Sequence, residues 1–230
     1  MLRTPWKGFT RPTVLASRWS LWATGTGVLV VGVALVGILG AALAGLSFGT
    51  NPAIPAATMM HAEVIELQRN LDESNAKLAQ AQVRLERLNA VARYSSVYRV
   101  PADLAGAIYD ISLAEGIHPS LGFQLVKVES SFKSGARSTR GAIGYTQLRL
   151  KTARFYDREA TEESLYDRDT NLRIGFRFLK DLLAQFDEDL NMALLAYNRG
   201  PARVAELVAR GEDPANGYAE VVLRGVKKGS

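Results

Sequence analysis

The sequence of 230 residues contains no cysteine and only two histidines, His61 and His118. The absence of cysteine excludes disulfides, thiol catalysis and cysteine-ligated metal sites. The two histidines are isolated and show none of the spacing that a metal site requires. We therefore expect neither a metal nor a cofactor.

Acidic residues are absent from the first 62 positions of the chain, and the first one is Glu63. Four basic residues precede it and supply +4 of the formal net charge of +5. They are Arg3, Lys7, Arg11 and Arg18. A short basic arm beside an apolar segment is typical of a membrane-topology signal rather than of a phosphate-binding surface. The sequence therefore predicts a basic cytoplasmic arm over residues 1–20 and no nucleic-acid partner.

Charged residues are also absent from residues 21–48, which are apolar and rich in glycine. The central stretch 27–46 holds 20 residues, the number needed to cross a hydrocarbon core of about 30 Å. Trp19 and Trp22 stand at its start, where interfacial aromatic residues occur. We predict a single-pass helix in the inner membrane, with a cytoplasmic N-terminus and a periplasmic remainder.

A cleaved signal peptide is the alternative interpretation of this segment. Ala42-Leu43-Ala44 before Gly45 resembles a cleavage motif. However, the apolar run exceeds the usual length of about 7–15 residues, and the basic arm is long as well. An uncleaved anchor is the favoured prediction.

Residues 49–59, with Pro52 and Pro55, predict a short extended linker, and residues 60–94 predict an amphipathic helix. Its small or apolar residues follow alternating steps of three and four, as in a coiled coil. They are Val64, Leu67, Leu71, Ser74, Leu78, Ala81, Leu85, Leu88 and Ala92. The pattern fits a parallel dimer with a second copy of the chain. It fits equally well a single helix that lies on the following domain or acts as a spacer of about 45 Å.

Residues 95–230 show helical spacing and no convincing alternation, so this part is predicted to be all-α. The predicted helices are marked by five sets of apolar residues. They are Leu104, Ile108 and Ile111; Leu121, Leu125 and Val128; Leu172, Phe176, Leu179, Leu183 and Phe186; Leu190, Ala193, Leu194 and Tyr197; and Val204, Leu207 and Val208 after Pro201.

One acid in this region, Glu129, stands out by its neighbours. We expect Ser120 to cap a helix that runs to about Ser131. On that helix, three of the four nearest residues on the face of Glu129 are apolar: Leu125, Val126 and Phe132. An apolar environment disfavours the charged form and raises the pKa of a carboxyl group, as a general acid requires near neutral pH.

Several short motifs follow Glu129 along the chain. They are Glu129-Ser130-Ser131-Phe132, Ser138, Gly144-Tyr145-Thr146-Gln147 with Thr152-Ala153, and Ala196-Tyr197-Asn198-Arg199-Gly200-Pro201. These motifs resemble the soluble-lytic-transglycosylase-type (SLT) family of peptidoglycan lytic transglycosylases. Their order and spacing match over about residues 100–222. The resemblance implies a lysozyme-like, all-α transglycosylase domain, preceded here by the transmembrane helix and the coiled-coil-like helix.

By this resemblance, Glu129 is the catalytic acid and base, and peptidoglycan glycan strands are the substrate. Ser138, Gly144 and Gln147 would line the sugar sites, with Tyr197 close to the acid. Asn198 belongs to the same set of substrate-site residues, although it is better suited to fixing the turn into the next helix. The family cleaves the MurNAc–GlcNAc β-1,4 bond and forms 1,6-anhydro ends with one glutamate.

The sequence departs from the family pattern in the glutamine loop. Tyr145-Thr146 replaces the usual Leu-Met before Gln147, and Arg149-Leu150 replaces the usual Met-Pro after it. We expect the loss of that methionine and proline at residues 149 and 150 to remove an apolar contact and a rigid turn from the groove wall. The loop region is also basic, and we hypothesise that its cations meet carboxylates of the peptide stems. They are Arg137, Arg140, Arg149, Lys151 and Arg154.

Two alternatives stay open at this point. A second acid from residues 157–169 reaching the cleft would favour a muramidase that uses water, although this segment is more typical of a solvated loop. The altered loop would also fit a peptidoglycan-binding scaffold in a wall-spanning assembly.

Overall fold

The computed structural model describes the backbone of residues 53–229 and the side chains of residues 58–226. The predicted basic arm, the predicted transmembrane helix and the first four linker residues lie outside the described residues. Within residues 53–229, no helix combines the length and apolarity that membrane crossing demands.

The first helix, α1, spans Ala53–Tyr98 and contains 46 residues. The prediction of an extended linker is therefore wrong for residues 53–59, which are helical. Pro55 is compatible with this because it lies in the first turn, where backbone N–H groups have no intrahelical partner. The helix predicted for residues 60–94 is confirmed and extends further at both ends.

The C-terminal end of α1 belongs to the core of the following domain. Val91 and Tyr94 are buried, and the ring of Tyr94 stacks on Phe123 with a centroid distance of 4.3 Å. Tyr98 stacks on the same ring, and its hydroxyl accepts a hydrogen bond of 2.6 Å from Gln124 Nε2. The domain therefore begins inside α1 rather than after residue 94.

The remainder of α1 is solvent-exposed over residues 58–89. Leu67, Leu71 and Leu78 in the predicted seam each keep about 60% of their surface accessible. The alternative in which this helix lies on the domain is thus wrong for most of residues 58–89, although Arg87 pairs with Asp110 of the domain at 2.7 Å. A spacer and a dimer seam both remain compatible with the exposure.

Seven further α-helices follow among the described residues, and the all-α prediction is confirmed for most of the domain. They are α2 (Ala102–Ala114), α3 (Pro119–Ser130), α4 (Leu150–Tyr156), α5 (Arg168–Gln185), α6 (Leu190–Arg199), α7 (Pro201–Ala209) and α8 (Tyr218–Gly229). Two short antiparallel strands, β1 (Ala142–Ile143) and β2 (Leu148–Arg149), pair Ala142 with Arg149. They are too short to show alternation in the sequence. Helices α4 and α8 are not among the predicted ones.

Helix α3 lies at the centre of the domain. It packs against α2 on one side and α8 on another, while α5 packs against α2 and α6. Phe123, Leu125 and Val126 of α3 are fully buried, as is Phe176 of α5. This burial holds α3 in place, and α3 carries Glu129 near its C-terminal end.

Candidate functional site

Helix α3 starts and ends at conformations that its sequence encodes. His118, not Ser120 as expected, is the N-cap, and its Nδ1 accepts a hydrogen bond of 3.3 Å from the Ser120 N–H. Pro119 takes the first helical position, where its missing N–H costs no helical hydrogen bond. The helix ends where Ser131 adopts a left-handed conformation with φ of 51°. Glu129 therefore lies in the last turn, next to the chain reversal.

Glu129 is half-buried, and its neighbours on α3 and in the following turn are apolar. Leu125 and Val126, one turn earlier, are fully buried, and Phe132 packs against the core. Burial raises the pKa of Glu129 to about 7, and a hydrogen bond from the Tyr218 hydroxyl acts in the opposite direction. The predicted rise in pKa is confirmed. Near neutral pH, this acid is close to half protonated, so it can both give and take a proton.

Tyr218 is the site residue that the sequence analysis missed. It is the first residue of α8, and its hydroxyl donates to Glu129 Oε1. Burial and the nearby Glu129 carboxylate both raise the pKa of the Tyr218 phenol, so it remains a neutral donor. The sequence carried a signal for helix α8, because Tyr218, Val222 and Val226 recur at four-residue steps after an Asn-Gly pair, but it carried none for the contact with Glu129.

Glu129 opens onto a cavity of about 650 Å³. The cavity is lined by Glu129, Ser138, Arg140, Ala142, Gln147, Leu148, Arg149, Thr152, Phe178, Tyr197, Asn198, Arg199, Gly200, Pro201, Arg203 and Asn216. Four of the five predicted substrate-site residues are in this set: Ser138, Gln147, Tyr197 and Asn198. Of the carboxylates in the part of the chain that the structure describes, Glu129 alone lines the cavity.

Two polar side chains of the cavity wall are held by local backbone contacts. The Ser138 Oγ accepts a hydrogen bond of 3.0 Å from the Ala142 N–H, which leaves its own proton available to a ligand. Gln147 Nε2 donates to the carbonyl oxygens of Ala136 and Gly144 at 3.2 and 3.0 Å. These contacts orient the Gln147 amide, whose oxygen can accept from a sugar hydroxyl.

Gly144 does not line the cavity, and its contact with a sugar stays a prediction. The structure instead requires glycine at this position for steric and backbone reasons. Its φ is +78°, and a Cβ there would lie 2.3 Å from Asn171 Nδ2 and 2.7 Å from the Leu165 carbonyl oxygen. Only glycine fits this position without displacing Asn171.

Asn171 is a buried residue that fixes the shape of the glutamine loop. Its Nδ2 donates to the carbonyl oxygens of Ile143 and Leu165 at 2.9 and 2.8 Å. Its Oδ1 accepts from the Thr146 N–H at 2.9 Å and from the Thr146 hydroxyl at 2.8 Å. One amide therefore satisfies three polar groups at the glutamine loop and the carbonyl oxygen of Leu165 in a separate segment.

The two departures from the family pattern have different consequences in the structure. Tyr145 and Thr146 are buried and do not line the cavity, so that change lies behind the groove wall. Arg149 does line the cavity, and Leu150 begins α4. The change at residue 149 alters the wall itself.

Tyr197 and Asn198 connect the cavity to other parts of the domain. The buried Tyr197 hydroxyl donates to the Thr146 carbonyl oxygen at 2.9 Å, so it supports the glutamine loop. Burial is the main reason that the pKa of the Tyr197 phenol is raised. The nearby Glu129 carboxylate raises this pKa further. Asn198 Oδ1 accepts from Asn216 Nδ2 at 2.9 Å, which ties α6 to the segment before Tyr218. Asn198 therefore holds the segment at Asn216, whereas we expected it to fix the turn between α6 and α7.

The acidic segment 157–169 lies outside the cavity. Glu162 pairs with Arg137 at 2.7 Å, and Asp167 caps α5 by accepting from the Thr170 N–H at 2.9 Å. Asp169 pairs with Arg168 at 2.7 Å. The prediction of a solvated loop and helix start is confirmed. No cluster of metal-ligating side chains occurs in the described residues, 58–226.

The chain is similar to known proteins in sequence and in structure. Residues 107–216 match the family model described as Transglycosylase SLT domain. One similar solved structure is an inactive mutant of the lytic transglycosylase Slt from Pseudomonas aeruginosa, at 30% identity and a TM-score of 0.43. The match covers 52% of this chain and 20% of the Pseudomonas aeruginosa chain.

A second similar structure is the 70 kDa soluble lytic transglycosylase from Escherichia coli, at 22% identity and a TM-score of 0.49. The match covers 65% of this chain and 30% of the Escherichia coli chain. The chain thus spans less than a third of the length of either protein. The resemblance of this chain to the SLT family, first seen in the motifs around Glu129, is confirmed by the family model over residues 107–216.

Proposed function

We propose that this chain is a membrane-anchored lytic transglycosylase that cleaves the MurNAc–GlcNAc β-1,4 bond of peptidoglycan and leaves 1,6-anhydro ends. The observation that carries the proposal is the position of Glu129 in the cavity wall together with its raised pKa. Glu129 is the one carboxylate lining the cavity among the described residues, and burial raises its pKa to about 7. The match to the Transglycosylase SLT domain supports the same activity.

A single carboxyl group near pKa 7 suits a two-step reaction. Protonated Glu129 would donate its proton to the glycosidic oxygen as the C1–O bond breaks. The resulting carboxylate would then remove the proton from the C6 hydroxyl of the same sugar, whose oxygen attacks C1. The proton returns to Glu129, and water takes no part. Most hydrolases that use water need a second carboxyl group across the bond, and the described cavity wall offers none.

The acid and base roles place opposite demands on Glu129, and its surroundings meet both. Burial favours the protonated form needed in the first step. The Tyr218 hydroxyl donates to the charged form and stabilises the carboxylate needed in the second step. Tyr218 thus limits the rise in pKa that burial alone would cause.

The test is digestion of purified peptidoglycan with the full-length chain and with Glu129→Gln, followed by mass spectrometry of the new sugar ends. We expect anhydro ends from the unaltered chain and none from the variant. Reducing ends that depend on Glu129 would instead identify a muramidase. Binding of peptidoglycan without any cleavage would identify a scaffold.

The membrane anchor in residues 21–48 remains part of the proposal. Sedimentation of the full-length chain with membranes, resistant to salt and released by detergent, tests it. The exposed part of α1 over residues 58–89, about 32 residues at 1.5 Å each, would then give the domain a reach on the order of 48 Å.

We also propose that the exposed seam of α1 pairs with a second copy of the chain in parallel. Leu67, Leu71 and Leu78 are exposed at seam positions, where a partner helix would bury them. In a parallel pair, the seam-flanking Lys77 meets Gln82 of the other copy, so no like charges face each other. In an antiparallel pair centred near Lys77, the two lysines would meet.

A further inference from the structure

The basic residues of the glutamine-loop region fall into two groups in the structure. Arg137 is paired with Glu162 through hydrogen bonds of 2.7 and 3.2 Å, and Arg154 Nε donates to the Ala160 carbonyl oxygen at 3.1 Å. Neither lines the cavity, and nor does Lys151. Arg140 and Arg149 do line it. These two are the cations that can face a ligand.

Arg140 and Arg149 extend from the same small hairpin. Arg149 lies in β2 opposite Ala142 of β1, and Arg140 lies in the tight turn just before β1. That turn is closed by hydrogen bonds from the Gly141 and Ala142 N–H groups to Ser138. The hairpin therefore presents two guanidinium groups and the Ser138 hydroxyl along one edge of the cavity.

Neither of these two guanidinium groups has an acidic partner in the structure. Both residues are exposed, and no carboxylate among the described residues forms an ion pair with either one. The two other arginines at the cavity are engaged: Arg199 donates to the Pro214 carbonyl oxygen at 2.6 Å and Arg203 pairs with Glu206 at 2.8 Å. Of the four arginines that line the described cavity, Arg140 and Arg149 are the two whose guanidinium groups form neither an ion pair nor a hydrogen bond.

The charge of the cavity favours an anionic substrate. Four arginines line it, against one carboxyl group that is close to half protonated near neutral pH. A cleft lined by charge of one sign concentrates ligands of the other sign. The bond to be cleaved lies between sugars and does not by itself need two guanidinium groups, whereas the peptides attached to the glycan carry carboxylates. A guanidinium group binds a carboxylate through two parallel hydrogen bonds.

We propose that Arg140 and Arg149 form a subsite for the carboxylates of the peptide stems, which makes the enzyme prefer stem-bearing glycan over bare glycan. The inference rests on the proposed function, because it concerns the substrate of the same cleft. It also gives a role to Arg149, where the family pattern has an apolar residue.

The test compares two substrates: glycan strands that keep their peptides, and strands from which an amidase has removed them and whose newly freed muramic acid carboxylates have been blocked as amides. The ratio of kcat/KM between these substrates is measured for the full-length chain, for Arg140→Gln/Arg149→Gln and for the control Arg158→Gln. Arg158 is exposed and lies outside the cavity. Loss of charge-assisted hydrogen bonds predicts a fall of about 10-fold to 100-fold in the ratio for the double variant. The control should keep the ratio.

A third substrate identifies the chemical group, since amidation of the stem carboxylates should reproduce the effect of the double variant. The preference should also weaken as ionic strength rises. A ratio that stays unchanged in the double variant, or an amidated substrate cleaved as well as the acidic one, would overturn the inference.

A binding measurement keeps this inference separate from the proposed activity. Glu129→Gln is titrated with both kinds of strand, with and without the two arginine substitutions. Tighter binding of stem-bearing strands that is lost with Arg140 and Arg149 supports the subsite even if no cleavage occurs. Equal binding of both strands by Glu129→Gln contradicts the subsite even if the unaltered chain cleaves.

Discussion

The hydroxyl of Tyr218 donates a hydrogen bond to Glu129 across 89 positions of the sequence. Glu129 lies at the end of α3 and Tyr218 at the start of α8, two helices that pack directly on each other. The contact therefore depends on the fold of the whole domain. It also sets the proton affinity of the group on which the proposed reaction depends.

Tyr218→Phe should raise the pKa of Glu129 above its value of about 7, because the hydrogen bond that lowers this pKa is lost. The pH profile of glycan cleavage should shift to higher pH, with a lower maximal rate since the carboxylate needed in the second step is less available. Tyr197→Phe is the matched comparison, because the Tyr197 hydroxyl donates to the Thr146 carbonyl oxygen instead. A profile that shifts in Tyr197→Phe and not in Tyr218→Phe would contradict this assignment.

Glu129→Gln should stabilise the fold at alkaline pH. The folded-state pKa of about 7 exceeds the ordinary value of 4.5, so the folded state binds more protons between these pH values and loses stability as pH rises through them. The difference corresponds to about 3 kcal/mol in the free energy of unfolding above pH 7. The free energy of unfolding in urea should be higher for the variant than for the unaltered chain at pH 8, and no such gain should appear at pH 4. Equal differences at both pH values would contradict the raised pKa.

Asn171→Ala should destabilise the domain by about 2–4 kcal/mol, because it leaves several buried polar groups of the glutamine loop without partners. Cleavage should fall as well, since Gln147 lies on the same loop. The matched control is Asn216→Ala, which removes two exposed hydrogen bonds, one to Asn198 and one from the Tyr218 N–H, and should cost much less stability. The free energy of unfolding in urea measures both. A loss below that of the control would show that Asn171 does not hold the loop.

Leu71→Ser/Leu78→Ser should convert the proposed dimer to a monomer, because both substitutions remove apolar side chains from the seam of α1. Val83→Ser is the control, since Val83 is equally exposed but lies outside the seam. Sedimentation equilibrium of the detergent-solubilised full-length chain reports the mass. A monomeric unaltered chain, or a dimer that survives the two seam substitutions, would exclude pairing through α1.

The sequence was sufficient to predict those parts of the fold that have a strong local pattern. The spacing of apolar residues located α1, α2, α3 and α5–α7, and the apolar neighbours of Glu129 predicted its raised pKa. These properties depend on residues within one or two helical turns of each other. The extension of α1 into the core was not predictable from spacing, because it depends on Tyr94 stacking against Phe123 of another helix.

The rest of the site depends on contacts between distant segments. Tyr218 is 89 positions from its partner Glu129, and Asn171 is 25 positions from Thr146. Neither pair has a local signature. For the same reason, the sequence did not show which basic residues face the cavity. Only the folded chain shows that Arg137 is paired with Glu162, whereas Arg149 lines the cavity.

The central claim is that Glu129 alone cleaves the glycan without water. Digestion of peptidoglycan in water enriched in oxygen-18, followed by mass spectrometry of the new sugar ends, tests it most directly. The account predicts ends that are one water lighter than a reducing sugar, carry no oxygen-18 and disappear in Glu129→Gln. Ends that carry oxygen-18 and depend on Glu129 would contradict it and assign a water-using hydrolase to this cleft.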